Sequence, residues 1–169
     1  MLKRAALFIA IVVLGALLAA AAANSAPSMV AFSGFYPGTI VIKTHERRLY
    51  YVLDGQRALR FPVGVGRAGM TWTGSATVEG KYLEPAWEAP PEIRDDYKRQ
   101  PDVIPGGAPN NPMGAAALTL RSGEYAIHGT NNPSSIGRFV SHGCIRMYNR
   151  DIRALYRLVR VGTPVIVEP

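Results

Sequence analysis

Apolar residues occur along this chain in three patterns, and each predicts a different kind of element. The first is an uncharged run from Ala5 to Ala23, preceded by Lys3 and Arg4. The second is a series of short stretches rich in β-branched and aromatic residues, at 39–43, 48–53, 57–65, 76–83, 115–120, 125–128 and 165–167. Such stretches suit the pleated surface of a strand. Alternation with period two places Leu49, Tyr51 and Leu53 on one face of the second stretch. The third pattern is the stripe Ile152, Leu155, Tyr156 and Val159, whose i, i+3, i+4, i+7 spacing predicts a helix from Asn149, a competent cap, to about Arg160. Gly162 and Pro164 stop it. Seven strand-like runs against one helical stripe predict a mainly β domain, two packed sheets or a flattened barrel with a single late helix.

The connections carry their own signals. Asp54-Gly55 predicts a type I′ hairpin, and 121–124 (Arg-Ser-Gly-Glu) predicts a second hairpin turn. His45 falls in a turn and reads as a solvated residue. Val63-Gly64-Val65-Gly66 is no nucleotide loop, since neither a following helix nor a third glycine at the right spacing accompanies it. From 85 to 112 the composition changes, with seven prolines and the charged cluster 92–99. Proline at this density excludes central strands and most helix interiors, so the segment predicts a long ordered loop or cap over one end of the domain. Trp72, Tyr82 and Trp87 are candidates for the lining of a substrate cleft or for the core.

The N-terminal pattern reads as a secretory signal over 1–26, with its apolar core at 7–18 and cleavage near 23–26 after Ala21-Ala22-Ala23. The same run is long enough for an uncleaved anchor, and either form exports the rest of the chain. The remaining residues, about 143, suffice for one core. They divide into a short linker over 27–38 and one domain over 39–169. Without Lys3 and Arg4 the chain keeps 17 basic and 12 acidic side chains, a net of +5 that suits an anionic neighbourhood such as a cell wall. No basic run interleaved with aromatics is present, so nucleic acid is not an expected partner.

Charge sets the setting, and the cysteine content changes the picture more. Cys144 is the only cysteine in the 169 residues, and an exported chain with one thiol cannot use it for an internal disulfide. Two of the three histidines, His128 and His142, stand near it, and Gly143 directly precedes it. An imidazole can draw the proton from a thiol and store it for a leaving group. A glycine before the nucleophile lets backbone N–H groups converge on one oxygen as an oxyanion hole. Metal binding by Cys144, His142 and His128 is the competing chemistry, but three ligands without a clear fourth make a poor structural zinc site.

His128-Gly129-Thr130, a step of 16 residues to Cys144, and the run Ser141-His142-Gly143-Cys144-Ile145-Arg146-Met147 resemble the signature of the YkuD (ErfK/YbiS/YcfS/YnhG) L,D-transpeptidases. The resemblance implies a YkuD-like β-sandwich or flattened barrel with one helix after the nucleophile and a Pro-rich capping loop. It implies Cys144 as acyl-accepting nucleophile, His128 as proton acceptor and donor, and His142 and Gly143 as parts of the oxyanion region. Many members carry asparagine where this chain has Arg146. Arg146, Ser141, Gly129 and Thr130 are the expected substrate-binding residues. The implied substrates are peptidoglycan tetrapeptide stems, with the amine of a second stem or of an anchored protein as acceptor. No metal or organic cofactor is expected, because a thioester retains the energy of the cleaved amide. An L,D-carboxypeptidase or hydrolase using the same pair, and a non-catalytic wall-binding domain, are the alternatives.

Overall fold

The computed structural model describes residues 27–98, 101–121 and 125–169. The expected signal, residues 99–100 of the charged cluster and the hairpin turn at 122–124 lie outside the described residues. Among the described residues the strands are β1 (Ser28–Ala31), β2 (Ile40–Lys43), β3 (Arg48–Val52), β4 (Arg57–Pro62), β5 (Val65–Gly66), β6 (Gly74–Leu83), β7 (Trp87–Glu88), β8 (Val103–Ile104), β9 (Ala116–Arg121), β10 (Ala126–His128), β11 (Phe139–Ser141), β12 (Ile145–Arg146) and β13 (Pro164–Glu168). The α-helix is α1 (Asn149–Leu158). Mainly β with one helix is therefore the architecture, and no described helix is long and apolar enough to cross a membrane.

Nine strands form one sheet in the order β1-β4-β3-β2-β13-β6-β9-β10-β12, while β5 pairs with β11 and β7 with β8. The large sheet does not close, since β1 and β12 are its two separate ends. The last strand does not lie at an edge. β13 runs parallel to β2, with Val165 opposite Ile40, and antiparallel to β6, so it joins the two halves of the sheet. Val165 and Val167 alternate inward with Ile166 between them.

One apolar cluster holds the fold together. Ile42, Leu49, Phe61, Leu118, Ile127 and Ile145 from the sheet meet Ile152 and Leu155 from α1. Both helix residues are fully buried, as the stripe predicts, and burying each contributes roughly 1.5–3 kcal/mol. A second, smaller cluster lies on the opposite face, where Val41, Tyr50, Val52 and Ala58 are covered by Val30, Phe32 and Phe35. Ile40-Val41-Ile42 is apolar at every position, the mark of a strand buried on both faces, so something must cover the second one. The stretch expected to be a linker does this. β1 pairs with β4, Ser28 opposite Arg60, and the Phe32 ring stacks on Tyr50 at 4.3 Å and 11°. Burial in β3 is accordingly two-sided, with Tyr50 as well as Leu49 buried, rather than the one-face alternation that period two implies.

Two local expectations differ from what is observed. Neither Asp54 nor Gly55 has a positive φ, so the β3–β4 turn is not type I′. Asp54 instead accepts from Gln56 N at 3.0 Å and Arg57 Nε at 2.8 Å, building a wider loop from its side chain. The helix ends at Leu158, with Val159 extended, and the residue at its N-cap is Tyr148 without a side-chain cap. The Asn149 side chain is engaged instead with Ala115 and Thr130.

The described residues of the Pro-rich segment form a cap. It contains the β7–β8 hairpin, with Trp87 opposite Ile104, and a 3₁₀ segment at Pro91–Tyr97. Asn111, 1% exposed, ties its two ends together: Nδ2 donates to Pro85 O at 2.8 Å and Pro105 O at 3.0 Å, and Oδ1 accepts from Met113 N at 2.9 Å. A segment short of N–H donors because of its prolines takes them here from one buried amide side chain.

Candidate active site

β10 and β12 are parallel neighbours, pairing Ile127 with Ile145 and His128 with Arg146. The two isoleucines point into the core. Period two therefore puts His128, Arg146 and Cys144 on the other face, beneath the cap. All three line one cleft of about 330 Å³, together with Ser141, His142, Tyr125, Met113 and the cap residues Trp87, Glu88 and Ile93. The strand ends thus bring together residues that the sequence separates by 16 positions.

The turn from Ser141 to Cys144 is held from inside. Ser141, 1% exposed, accepts from Gly143 N at 3.1 Å and donates to Cys144 O at 2.6 Å. Its hydroxyl thus braces the turn although the residue borders the cleft. Gly143 has a φ of 119°, and a side chain there would run into the Tyr125 ring, so both conformation and space require glycine. The Gly143 N–H is already engaged by Ser141, so of the backbone donors expected around the thiol it is not the one left to a substrate oxygen.

Burial dominates the electrostatics. His128 is 4% exposed, and desolvation pulls its pKa down to about 4, helped by the Arg146 guanidinium and opposed by backbone hydrogen bonds to Gly129 and Pro112. Burial pushes the Cys144 thiol up, against the Ala126 backbone and Arg146, which both favour the thiolate. At neutral pH the pair is therefore imidazole and thiol, not imidazolium and thiolate. Among the described residues His128 Nδ1 is buried without a hydrogen-bond partner. Arg146 Nε is likewise buried and has no hydrogen-bond partner among the described residues.

The other expected substrate contacts lie apart from this cleft. Thr130, 2% exposed, lines a second cleft of about 200 Å³ together with Glu84, Asn111 and Arg153. Gly129 donates to Ala116 O at 3.0 Å, and a side chain on it would strike Asn149 Oδ1. That asparagine is the residue the sequence misassigned. Its Oδ1 accepts from both Ala115 N and Thr130 N at 3.0 Å, and its Nδ2 donates to Thr130 O at 3.1 Å. Asn149 thereby fastens the loop after His128 to α1 and to the start of β9. An asparagine at the head of a helix looks the same in sequence whether it caps or staples. Of the three candidate aromatics, Trp87 borders the cleft, Trp72 donates from Nε1 to Gly143 O, and Tyr82 is 51% exposed. His45 is an exposed turn residue, as expected.

An open β-scaffold that presents one cysteine beside one buried, unprotonated histidine has the outline of a thiol-dependent acyl-transfer domain. The chain belongs to the YkuD family: residues 37–167 match it, under the description L,D-transpeptidase catalytic domain. The probable L,D-transpeptidase YbiS of Escherichia coli K12 is 42% identical over 135 residues, covering 75% of this chain and 43% of that protein. The chain thus spans less than half the length of that relative. Among solved structures, L,D-transpeptidase 3 of Mycobacterium tuberculosis shares the fold with a TM-score of 0.60 at 21% identity, over 78% of this chain and 60% of that one. The catalytic domain of an Enterococcus faecium L,D-transpeptidase, acylated by ertapenem, does so with a TM-score of 0.59 at 22% identity, over 80% and 100% of the two chains.

Proposed function

We propose that this domain is an exported L,D-transpeptidase of peptidoglycan, with Cys144 as nucleophile and His128 as proton carrier. Cys144 Sγ attacks the carbonyl of the diamino acid at position three of a tetrapeptide stem while its proton passes to His128 Nδ1. The tetrahedral intermediate collapses, the bond to the terminal D-alanine breaks, and His128 returns the proton to that amine. The resulting thioester is attacked by an acceptor amine, from a second stem or an anchored protein; His128 takes one proton from the amine and restores it to the thiol. His142 and Gly143 shape the turn where the oxyanion forms. No cofactor enters these steps, and residues 1–26 would direct the domain to the periplasm or envelope.

The observation that carries this reading is the unpartnered Nδ1 of a buried, neutral His128 in the same cleft as Cys144. A neutral pair suits the chemistry, because the imidazole then accepts a proton only as attack develops. Arg146, with a buried and unpartnered Nε on the cleft wall, suits a stem carboxylate. The test is to incubate the protein with a disaccharide tetrapeptide and follow both partners by mass spectrometry. An adduct on Cys144 lacking D-alanine, followed by a 3→3 cross-linked dimer, is expected. Release of a tripeptide alone, with acceptor amine in excess, would replace transpeptidation by hydrolysis; no adduct at all would end the proposal.

A further inference from the structure

The loop between β5 and β6 grips the turn that carries Cys144 by two hydrogen bonds. Arg67 N donates to Ser141 O at 2.9 Å, and the Trp72 indole Nε1 donates to Gly143 O at 3.1 Å, across 71 positions of sequence. Trp72 is held face to face with Tyr125, ring centroids 5.0 Å apart and planes within 6°, so the direction of its N–H is set by stacking. Tyr125 in turn fills the space where Gly143 has no side chain.

These contacts decide where one peptide group points. The Gly143 N–H and the Cys144 carbonyl both belong to Ser141 Oγ. No described peptide bond is cis, so in the planar Gly143–Cys144 unit the C=O and N–H point in opposite directions. With the carbonyl drawn to Trp72, which is not among the residues lining the cleft, the Cys144 N–H points away from Trp72. We infer that Trp72 is a positioning residue for the oxyanion hole: its indole N–H orients the Gly143–Cys144 peptide so that the Cys144 N–H meets the oxygen of the acyl group under attack. It touches neither substrate nor thiol, and acts through the peptide alone. The inference rests on reading Cys144 as the acyl-accepting nucleophile.

Trp72→Phe keeps a ring on Tyr125 and removes the donor. Its test compares two reactions of Cys144, acylation by p-nitrophenyl acetate, which develops an oxyanion, and alkylation by iodoacetamide, which does not. Removing an oxyanion donor outright costs about 10²–10³ in rate, so loosening one should slow acylation about tenfold. Alkylation should stay within about twofold of wild type, and the melting temperature should barely move. A substitution that merely disturbs the turn would slow both reactions alike. Equal losses, or no loss in acylation, would overturn the inference. Should Trp72→Phe fold poorly, replacing the indole by the equally large benzothiophene side chain removes only the N–H and must give the same split. Wild-type protein that is alkylated but never acylated would instead remove the nucleophile role of Cys144, a result distinct from equal rates in an active pair.

Discussion

Replacing Asn149 separates two readings of one residue. As a staple, its side chain makes three hydrogen bonds, from Ala115 N, from Thr130 N and to Thr130 O. At about 1 kcal/mol net for each, Asn149→Ala should cost about 3 kcal/mol, since Ala115 and Thr130 are both buried and their amides would lose an acceptor away from water. For a domain of this size that is a fall of about 10 °C in melting temperature. A helix cap would lose only about 1 kcal/mol on the same change, and would be kept by Ser or Asp. The staple is not: a serine side chain is too short to reach both amides and the carbonyl, and a carboxylate at this position faces Thr130 O with no donor. Asn149→Ser should therefore cost about 2 kcal/mol. Asn149→Asp should destabilise too, although a negative charge at a helix N-terminus by itself stabilises. Urea unfolding of the three variants beside wild type measures this directly. An alanine variant within about 1 kcal/mol of wild type, with the serine and aspartate variants unchanged, would show that Asn149 is a cap after all. Acylation should fall with stability in this series, because the loop released is the one that begins at His128.

Cys144→Ala should abolish the acyl adduct by intact mass while leaving the circular dichroism spectrum and melting point near wild type; an adduct that persists would place the nucleophile elsewhere. His128 should make the domain acid-sensitive. Its folded pKa of about 4 lies below the ordinary 6.5, so the unfolded chain binds the extra proton between these values and stability falls as pH drops from 6.5 to 4. The loss amounts to about 3 kcal/mol. Asp151, whose carboxyl pKa burial raises from 3.8, works in the opposite sense, so the quantity to measure is the difference from His128→Asn, which should lack this acid loss. Parallel stability curves for the two proteins would contradict a buried, unprotonated His128. The acid limb of kcat/KM should correspondingly fall near pH 4 rather than 6.5. Arg146→Lys should raise KM for stems with free carboxylates, spare amidated stems and leave stability alone, because Arg146 Nε has no hydrogen-bond partner among the described residues to lose. Equal losses on both stems would end the clamp.

Much of the site is written locally in the chain. His128, Cys144 and the glycine between His142 and Cys144 are set by short-range order, and a glycine that must hold φ 119° leaves a mark at its own position. The helical stripe, most strands and the Pro-rich cap are legible for the same reason, since period and proline content act over a few residues. The tertiary structure alone decided the rest. β11 and β12 are two or three residues long and exist only through partners far away, so no local period announces them, and the run expected as one strand over 57–65 breaks after Pro62, with Val65 pairing in a separate sheet as β5. The run Ile40-Val41-Ile42 says that both faces are buried but not that Phe32 and Phe35 cover the second. The tasks of Asn149 and Trp72 depend on hydrogen bonds to backbone 34 and 71 positions away. A side-chain amide or indole N–H carries no sequence sign of its acceptor, which only packing of the whole chain supplies.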